Sequence, residues 1–150
     1  MLRLSRKTML ALEAVLDVAY NARPDPVQSK DITARQGIPQ RYLEQVMQQL
    51  VHHGVLKGVR GPKGGYTLAR ERRRITAGDV VRIVDQLDAD VDSEPISEAE
   101  LGVQVVAPLW TETRDAILTR LDVITMEDLC RRARKLDIAH GARLKPDFNI

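Results

Sequence analysis

Apolar residues recur at helical spacing near the start of the chain. Over residues 6–22, Met9, Leu12, Leu16 and Ala19 share one side, with Val15 beside them, which predicts a helix. Arg23-Pro-Asp-Pro26 ends it, because proline cannot continue a helix. Ser29 is placed to cap a second, short helix reaching about Gln36, and Gly37 stops it. Ile38-Pro39 makes a tight turn. A third helix is expected from about Gln40 to His53, where Leu43, Val46, Met47 and Leu50 form one apolar stripe. Gly54 ends it, and the pattern changes. Val55–Arg60 and Tyr66–Ala69 read as two short strands around Gly61-Pro-Lys-Gly-Gly65, a β-hairpin. Helix, short helix, tight turn, helix and hairpin, in that order, describe a winged helix-turn-helix.

Thr76-Ala-Gly-Asp79 has the form of a capping box and opens a fourth helix to about Leu87. Residues 88–102 are acidic, contain Pro95 and Gly102, and read as a loop. A long helix is expected from about Val106 to Ile124. Its Val106, Trp110, Thr113, Ile117 and Leu121 (or Arg120) approximate an a/d repeat. Pro108 is tolerable only in its first turn. Thr125-Met-Glu-Asp128 repeats the capping pattern and opens a last helix to about Lys135. Residues 136–150, with Gly141 and Pro146, read as a flexible tail.

Composition narrows the picture. Hydrophobic residues make up 43% of the 150 positions, enough for a packed core, and charged residues 29%. The aromatic residues are 3 Tyr, 1 Trp and 1 Phe, so the core is aliphatic, which favours helices over a β-sandwich. A single cysteine excludes a disulfide framework and any multi-cysteine zinc site. No apolar run approaches the ~18 residues of a membrane span. The basic opening Met1-Leu-Arg-Leu-Ser-Arg-Lys7 is like that of a signal peptide, but Glu13 and Asp17 interrupt the segment behind it, and a cytoplasmic protein is expected. Charge is polarised: residues 1–75 carry a balance of +8 and residues 76–150 a balance of −6. A basic half suits a polyanion.

Two stretches carry candidate chemistry. The outward face of the third helix bears Gln40, Arg41, Glu44, Gln45, Gln48 and Gln49. Glutamine can contact adenine through both amide atoms, and glutamate can accept from the cytosine amine. Arg41 and Tyr42, near the helix start, could reach phosphates. At the hairpin tip Arg60 and Lys63 stand among small residues; Gly61 lets backbone approach a duplex, and an arginine fits a narrow minor groove. A nucleotide-binding loop is rejected, since counting from Gly58 puts Lys63 where that loop needs glycine. The run Arg70-Glu-Arg-Arg-Arg74 reads equally well as a solvated face or as extra phosphate contacts. Ser5, Ser29, Ser93 and Ser97 lack the context of a nucleophile, and His52 and His53 suit the carbonyls of a helix end. No catalytic constellation emerges, so no enzyme is expected.

Several stretches resemble the bacterial iron–sulfur cluster regulator (IscR-like) family of winged-helix transcription factors. They are Leu16-Asp-Val-Ala19, Arg35-Gln-Gly-Ile38, Tyr42-Leu-Glu-Gln45, Val59-Arg-Gly-Pro-Lys-Gly-Gly-Tyr66, Ile75-Thr-Ala-Gly-Asp-Val80, Leu109-Trp110 and Ile124-Thr-Met-Glu-Asp-Leu129. Together they hold register over about residues 2–130. The resemblance implies a homodimer whose long helix crosses to its partner, with Val106, Trp110, Thr113, Ile117 and Leu121 as the dimerisation seam. It implies that the third helix enters the major groove, with Glu44 as the base-reading acid, and that Arg60 enters the minor groove. Gln40 and Arg41 fall where the family touches DNA. Cluster-binding members carry three cysteines between the fourth and fifth helices; aligned on Leu109-Trp110, those places fall near Asp92, Glu98 and Gln104. Clusters need thiolates. Cys130 lies elsewhere and reads as a small core side chain. Some members lack these cysteines, and one controls cysteine metabolism by pairing with a biosynthetic enzyme.

The combined expectation is mainly α with a small β-hairpin: a winged helix-turn-helix over 1–87, an acidic loop over 88–102, dimerisation helices over 103–135, and a tail over 136–150. The expected function is a homodimeric, sequence-specific repressor that uses no cofactor and binds a roughly palindromic duplex through Gln40, Arg41, Tyr42, Glu44, Gln45, Arg60, Gly61 and Lys63. A protein or small-metabolite effector fits such a regulator; a membrane does not. Two alternatives stand beside it. One is a winged-helix scaffold for protein interaction, and the other a regulator sensing through unusual cluster or metal ligation.

Overall fold

The structure, a computed structural model, describes residues 5–22, 25–89 and 97–138. Among these residues, six α-helices and one two-stranded antiparallel sheet appear in the order α1 (Arg6–Asn21), α2 (Ser29–Gln36), α3 (Gln40–His52), β1 (Leu56–Val59), β2 (Gly65–Leu68), α4 (Ala77–Ala89), α5 (Ala107–Asp122) and α6 (Met126–Lys135). A 3₁₀ turn, Arg72–Arg74, follows β2. This is the mainly helical winged helix-turn-helix that the pattern predicts.

The core is aliphatic. Val15, Val18, Ile32, Ile38, Leu43, Met47, Leu50, Ile75, Val80 and Met126 are all fully buried. α3 follows its stripe: Leu43, Val46, Met47 and Leu50 are the residues it buries. α1 follows the expected face only in part, at Val15 and Ala19. It buries Thr8, Ala11, Ala14, Val15, Asp17, Val18, Ala19 and Tyr20, while Met9 is 46% exposed and Leu12 and Leu16 are only half-buried. The inner face is turned by about one residue, roughly 100° around the helix. Three alanines at the contact let neighbouring helices come close, so small residues occupy the inside and larger ones the flank.

Helix ends follow local chemistry, with one correction. Ser5 caps α1 by accepting from Thr8 N at 3.2 Å. α2 begins with Ser29 as its first helical residue; its cap is Gln28, with no side-chain bond. Gly37 ends α2 in the left-handed conformation at φ 66°, which glycine adopts without steric cost. The Thr76 and Thr125 boxes both form. Thr76 N donates to Asp79 Oδ2 at 3.0 Å and Asp79 N to Thr76 Oγ1 at 3.0 Å. Thr125 N donates to Asp128 Oδ2 at 2.9 Å and Asp128 N to Thr125 Oγ1 at 3.1 Å. The two boxes lie side by side as an antiparallel bridge, with Ala77 N donating to Ile124 O and Met126 N to Ile75 O, both at 2.8 Å. That bridge fastens the start of α4 to the start of α6.

The acidic connection is shorter than the sequence suggests. α4 runs to Ala89, and the chain is helical again from Glu100. A π-turn, Gly102–Val106, leads into α5, with Ala107 N donating to Gly102 O. Pro108 explains it. A proline lacks an N–H and crowds the carbonyl four residues back, and a widened turn relieves both problems. The part of the expected loop at 90–96, including Asp92, lies outside the described residues, as does the expected tail from 139. Residues 136–138 are held: Ile138 N donates to Ala133 O at 3.2 Å, and Tyr20 Oη donates to Ile138 O at 2.5 Å.

Candidate nucleic-acid interface

The helix-turn-helix is fixed by one buried network. Asp17, on α1, is 3% exposed. Its carboxylate accepts from Arg35 Nε at 2.9 Å, Arg35 Nη2 at 2.8 Å and Gln36 Nε2 at 2.8 Å. The bonded carboxylate raises the Arg35 pKa above the usual arginine value, against the opposing effect of burial. These bonds join two of the resembling stretches, around Asp17 and around Arg35, so those residues set the angle of α2 and hence of α3. The sequence gives no pairing signal between residues so far apart.

α3 then presents its polar side outward. Gln40, Arg41, Glu44, Gln45 and Gln48 are exposed, and Gln49 is half-buried. Gln40 Nε2 donates to Glu44 Oε1 at 3.2 Å, which holds the carboxylate on the open face. Arg41 makes no ion pair among the described residues. Tyr42 sits differently: it is half-buried against the core, and its hydroxyl donates to the Lys7 carbonyl. It braces α3 against α1.

The hairpin is a wing. Leu56 pairs with Leu68 and Val59 with Gly65. Val27 adds a single-residue third strand: Val27 N donates to Tyr66 O at 3.0 Å and Tyr66 N to Val27 O at 2.7 Å. Gly65 makes this approach possible, because a Cβ there would lie 2.4 Å from Val27 O. Gln28 Nε2 reaches Pro62 O at 3.4 Å, linking the start of α2 to the wing turn. Arg60, Gly61 and Lys63 are exposed at the tip.

The nearby arginine run divides. Arg70 lies 3.7 Å from Asp79, Arg73 lies 2.6 Å from Glu71, and Arg72 lies 3.0 Å from Glu127. Arg74 is exposed and makes no ion pair among the described residues. Arg70 and Arg72 therefore tie the wing base to α4 and α6, a role that neither the solvated face nor the phosphate contact of the sequence reading describes. By contrast Arg41, Arg60 and Lys63 are exposed and make no ion pair among the described residues.

Val106, just before α5, and Trp110 and Ile117 on it are exposed, with Trp110 at 50%. Val103, Val105 and Leu109 extend that apolar surface. Thr113 is half-buried and donates to Leu109 O at 2.9 Å. Leu121 is half-buried and packs on its own core. The only side chain of α5 that is fully withdrawn is Leu118.

A polar helix of a helix-turn-helix beside a wing with two exposed cations defines a winged-helix DNA-binding protein. Residues 4–132 match the Rrf2 family, described as iron-dependent transcriptional regulators, and the chain belongs to that family. It is 36% identical over 143 residues to the HTH-type transcriptional regulator IscR of Xenorhabdus nematophila, covering 92% of this chain and 85% of that protein. IscR of Escherichia coli O1:K1 / APEC is 34% identical over 139 residues, covering 92% and 86%. Among solved structures, T. potens IscR superposes with a TM-score of 0.73 at 33% identity, covering 95% of this chain and 96% of that one. CymR, the global cysteine regulator of B. subtilis, superposes with a TM-score of 0.68 at 32% identity, covering 88% and 98%. These relatives are transcriptional regulators, not enzymes, and this chain is a DNA-binding regulator of the same kind.

An iron–sulfur cluster does not fit the donor set. The chain has one cysteine, and Cys130 is fully buried in the core. Burial pushes its thiol pKa up, opposed by the charge of Arg72. Glu98 and Gln104 are exposed, and Gln104 Nε2 is 3.4 Å from Glu100 Oε1. Among the described residues no three His, Cys, Asp or Glu side chains gather as a metal site. Nor is any described helix long and apolar enough to cross a membrane.

Proposed function

We propose that the protein is a homodimeric, sequence-specific repressor that reads a roughly palindromic operator without an iron–sulfur cluster. The observation that carries this reading is the division of cations. Among the described residues Arg41, Arg60 and Lys63 stay exposed and make no ion pair, while Arg35, Arg70 and Arg72 are tied into the fold. Gln40, Arg41, Glu44 and Gln45 would read base edges in the major groove, and Arg60 and Lys63 would follow the minor groove and its phosphates. Tyr42 would act by holding α3. The exposed apolar run Val106, Leu109, Trp110 and Ile117 supports pairing of α5 with a second copy, since monomers seldom leave such patches open. Two-fold pairing places two α3 helices on one duplex face and demands a symmetric site. A dimer seated there represses by occlusion, and a protein or small metabolite would control it. A single, buried cysteine supports cluster-free action.

The test uses protein purified in air without added iron. Genomic fragments retained by it are sequenced, and the protein's mass is taken by sedimentation. Enrichment of one palindrome by a dimer bears the reading out. Fragments retained without a common motif, or a monomer at micromolar concentration, overturn it.

A further inference from the structure

The wing is attached to the rest of the domain at two levels. Its root is tied to the end of α3, where Val55 N donates to Leu50 O at 2.9 Å and Leu56 is buried. A hairpin held only there can swing about its root. This one is also held further out, by the residues that lead into α2. Val27 exchanges both backbone bonds with Tyr66, and Gln28 Nε2 reaches Pro62 O in the turn itself. Gln28 is at the same time the cap of α2, its carbonyl accepting from Asp31 N at 3.0 Å and Ile32 N at 3.3 Å. One residue therefore touches both α2 and the wing turn.

The turn has little freedom of its own. Gly64 N donates to Gly61 O at 2.9 Å, closing a four-residue turn with Pro62 at its second position, where the fixed φ of proline fits. The neck of the hairpin is closed so tightly that a Cβ on Gly64 would collide with the Val59 carbonyl. Arg60 and Lys63 are exposed on this frame. Ordering a loose hairpin on a duplex costs conformational entropy, and a hairpin ordered beforehand escapes that cost.

We infer that the wing is a fixed ruler. Val27 and Gln28 lock its distance from α3, so the chain selects operators in which the sequence under α3 and a narrow minor-groove segment under Arg60 lie a set number of base pairs apart. Gln28 is a positioning residue that acts through Arg60. An arginine is drawn most strongly into the narrow groove of A·T-rich DNA. One added base pair shifts that groove by about 3.4 Å and turns it by roughly 35°. A docked wing does not follow such a shift, whereas a wing free to swing does. The inference deepens the operator reading above and rests on its assignment of Arg60 to the minor groove.

Selection from random duplexes by the full chain tests the ruler. Wild type should return A·T-rich steps at one fixed distance from the core read by α3. Gly65→Ala, which drives a Cβ into the Val27 carbonyl, should return the same core with those steps scattered over several distances. Gln28 lies outside the core, so Gln28→Ala should fold and scatter them to a lesser degree; if Gly65→Ala does not fold, Gln28→Ala decides alone. Arg60→Ala should lose the A·T preference at every distance. On the selected operator, one base pair inserted between core and flank should weaken wild type about as much as Arg60→Ala does. With Arg60 replaced, neither that insertion nor Gln28→Ala should change affinity by more than about twofold, the usual error of additivity. An insertion that wild type tolerates, or one spacing shared by wild type and Gln28→Ala, overturns the proposal. So does a Gln28→Ala loss that persists in full without Arg60, since such a loss is structural only. If Arg60→Ala leaves affinity and the A·T preference intact, the minor-groove reading itself falls, and the ruler with it.

Discussion

Asp17→Asn removes the charge at the centre of the helix-turn-helix while keeping its shape. The carboxylate is fully withdrawn and accepts three bonds between 2.8 and 2.9 Å, two of them from Arg35. An asparagine can accept only with its oxygen, so its amide would face a guanidinium donor. Breaking a buried ion pair by removing one partner costs about 3–5 kcal/mol, because the other charge is left uncompensated. Arg35 is 19% exposed, so water recovers part of that loss. The expected cost is therefore near the lower end, about 3 kcal/mol, or a fall in Tm of roughly 10 °C for a domain of this size. Urea unfolding at fixed protein concentration gives the value. The pH dependence follows from Arg35. Its pKa is raised in the folded state, so its contribution is present at every pH below the unfolded value and is lost only as pH rises through the folded one. The deficit should therefore be flat across neutral pH. In a double-mutant cycle with Arg35→Met, the coupling should exceed about 1.5 kcal/mol, as for residues in direct contact. A cost for Asp17→Asn under about 1 kcal/mol, or a coupling near zero, would refute the claim that this pair sets the α1–α2 angle.

Four further outcomes follow. Arg60→Ala should weaken operator binding by about 1–3 kcal/mol and shallow its salt dependence; an unchanged titration removes the wing from recognition. Glu44→Ala should relax sequence preference more than affinity, read by selection from random duplexes, and an identical selected site would deny it a base-reading role. Gly65→Ala should disrupt the Val27–Tyr66 bridge, since its Cβ would sit 2.4 Å from a carbonyl oxygen; hydrogen exchange at Tyr66 N should speed up while amides of α3 stay protected. The Thr125 backbone and hydroxyl hold the Asp128 carboxyl pKa below the usual value. A lowered carboxyl contributes stability above its unfolded pKa and loses it as pH falls through the folded one. Asp128→Asn should accordingly flatten the acid end of the stability curve, and an unaltered acid limb would show the box to be inert.

The local structure of this chain was decided by local sequence. The α3 stripe, the Gly37 stop, the Thr76 and Thr125 boxes and the wing turn each rest on residues within a few positions of one another, so their patterns are readable without a fold. Candidate DNA contacts were readable too, because Gln40, Arg41, Glu44 and Arg60 lie on elements whose outward side is set by that periodicity. Other features required distant parts of the chain to meet. Which side of α1 faces inward depended on how closely its alanines let other helices approach, and Met9 was left outside. The Asp17–Arg35–Gln36 network joins residues 18 and 19 positions apart in sequence. Tyr42 became a brace because α3 lies beside the Lys7 carbonyl. The fate of each arginine was likewise tertiary. Charge alone could not tell Arg72, bound to a carboxylate of α6, from Arg60, left open at the wing tip. Sequence supplies the charges and their local frames, but a charge is neutralised or free only once folding has fixed its distance to every other.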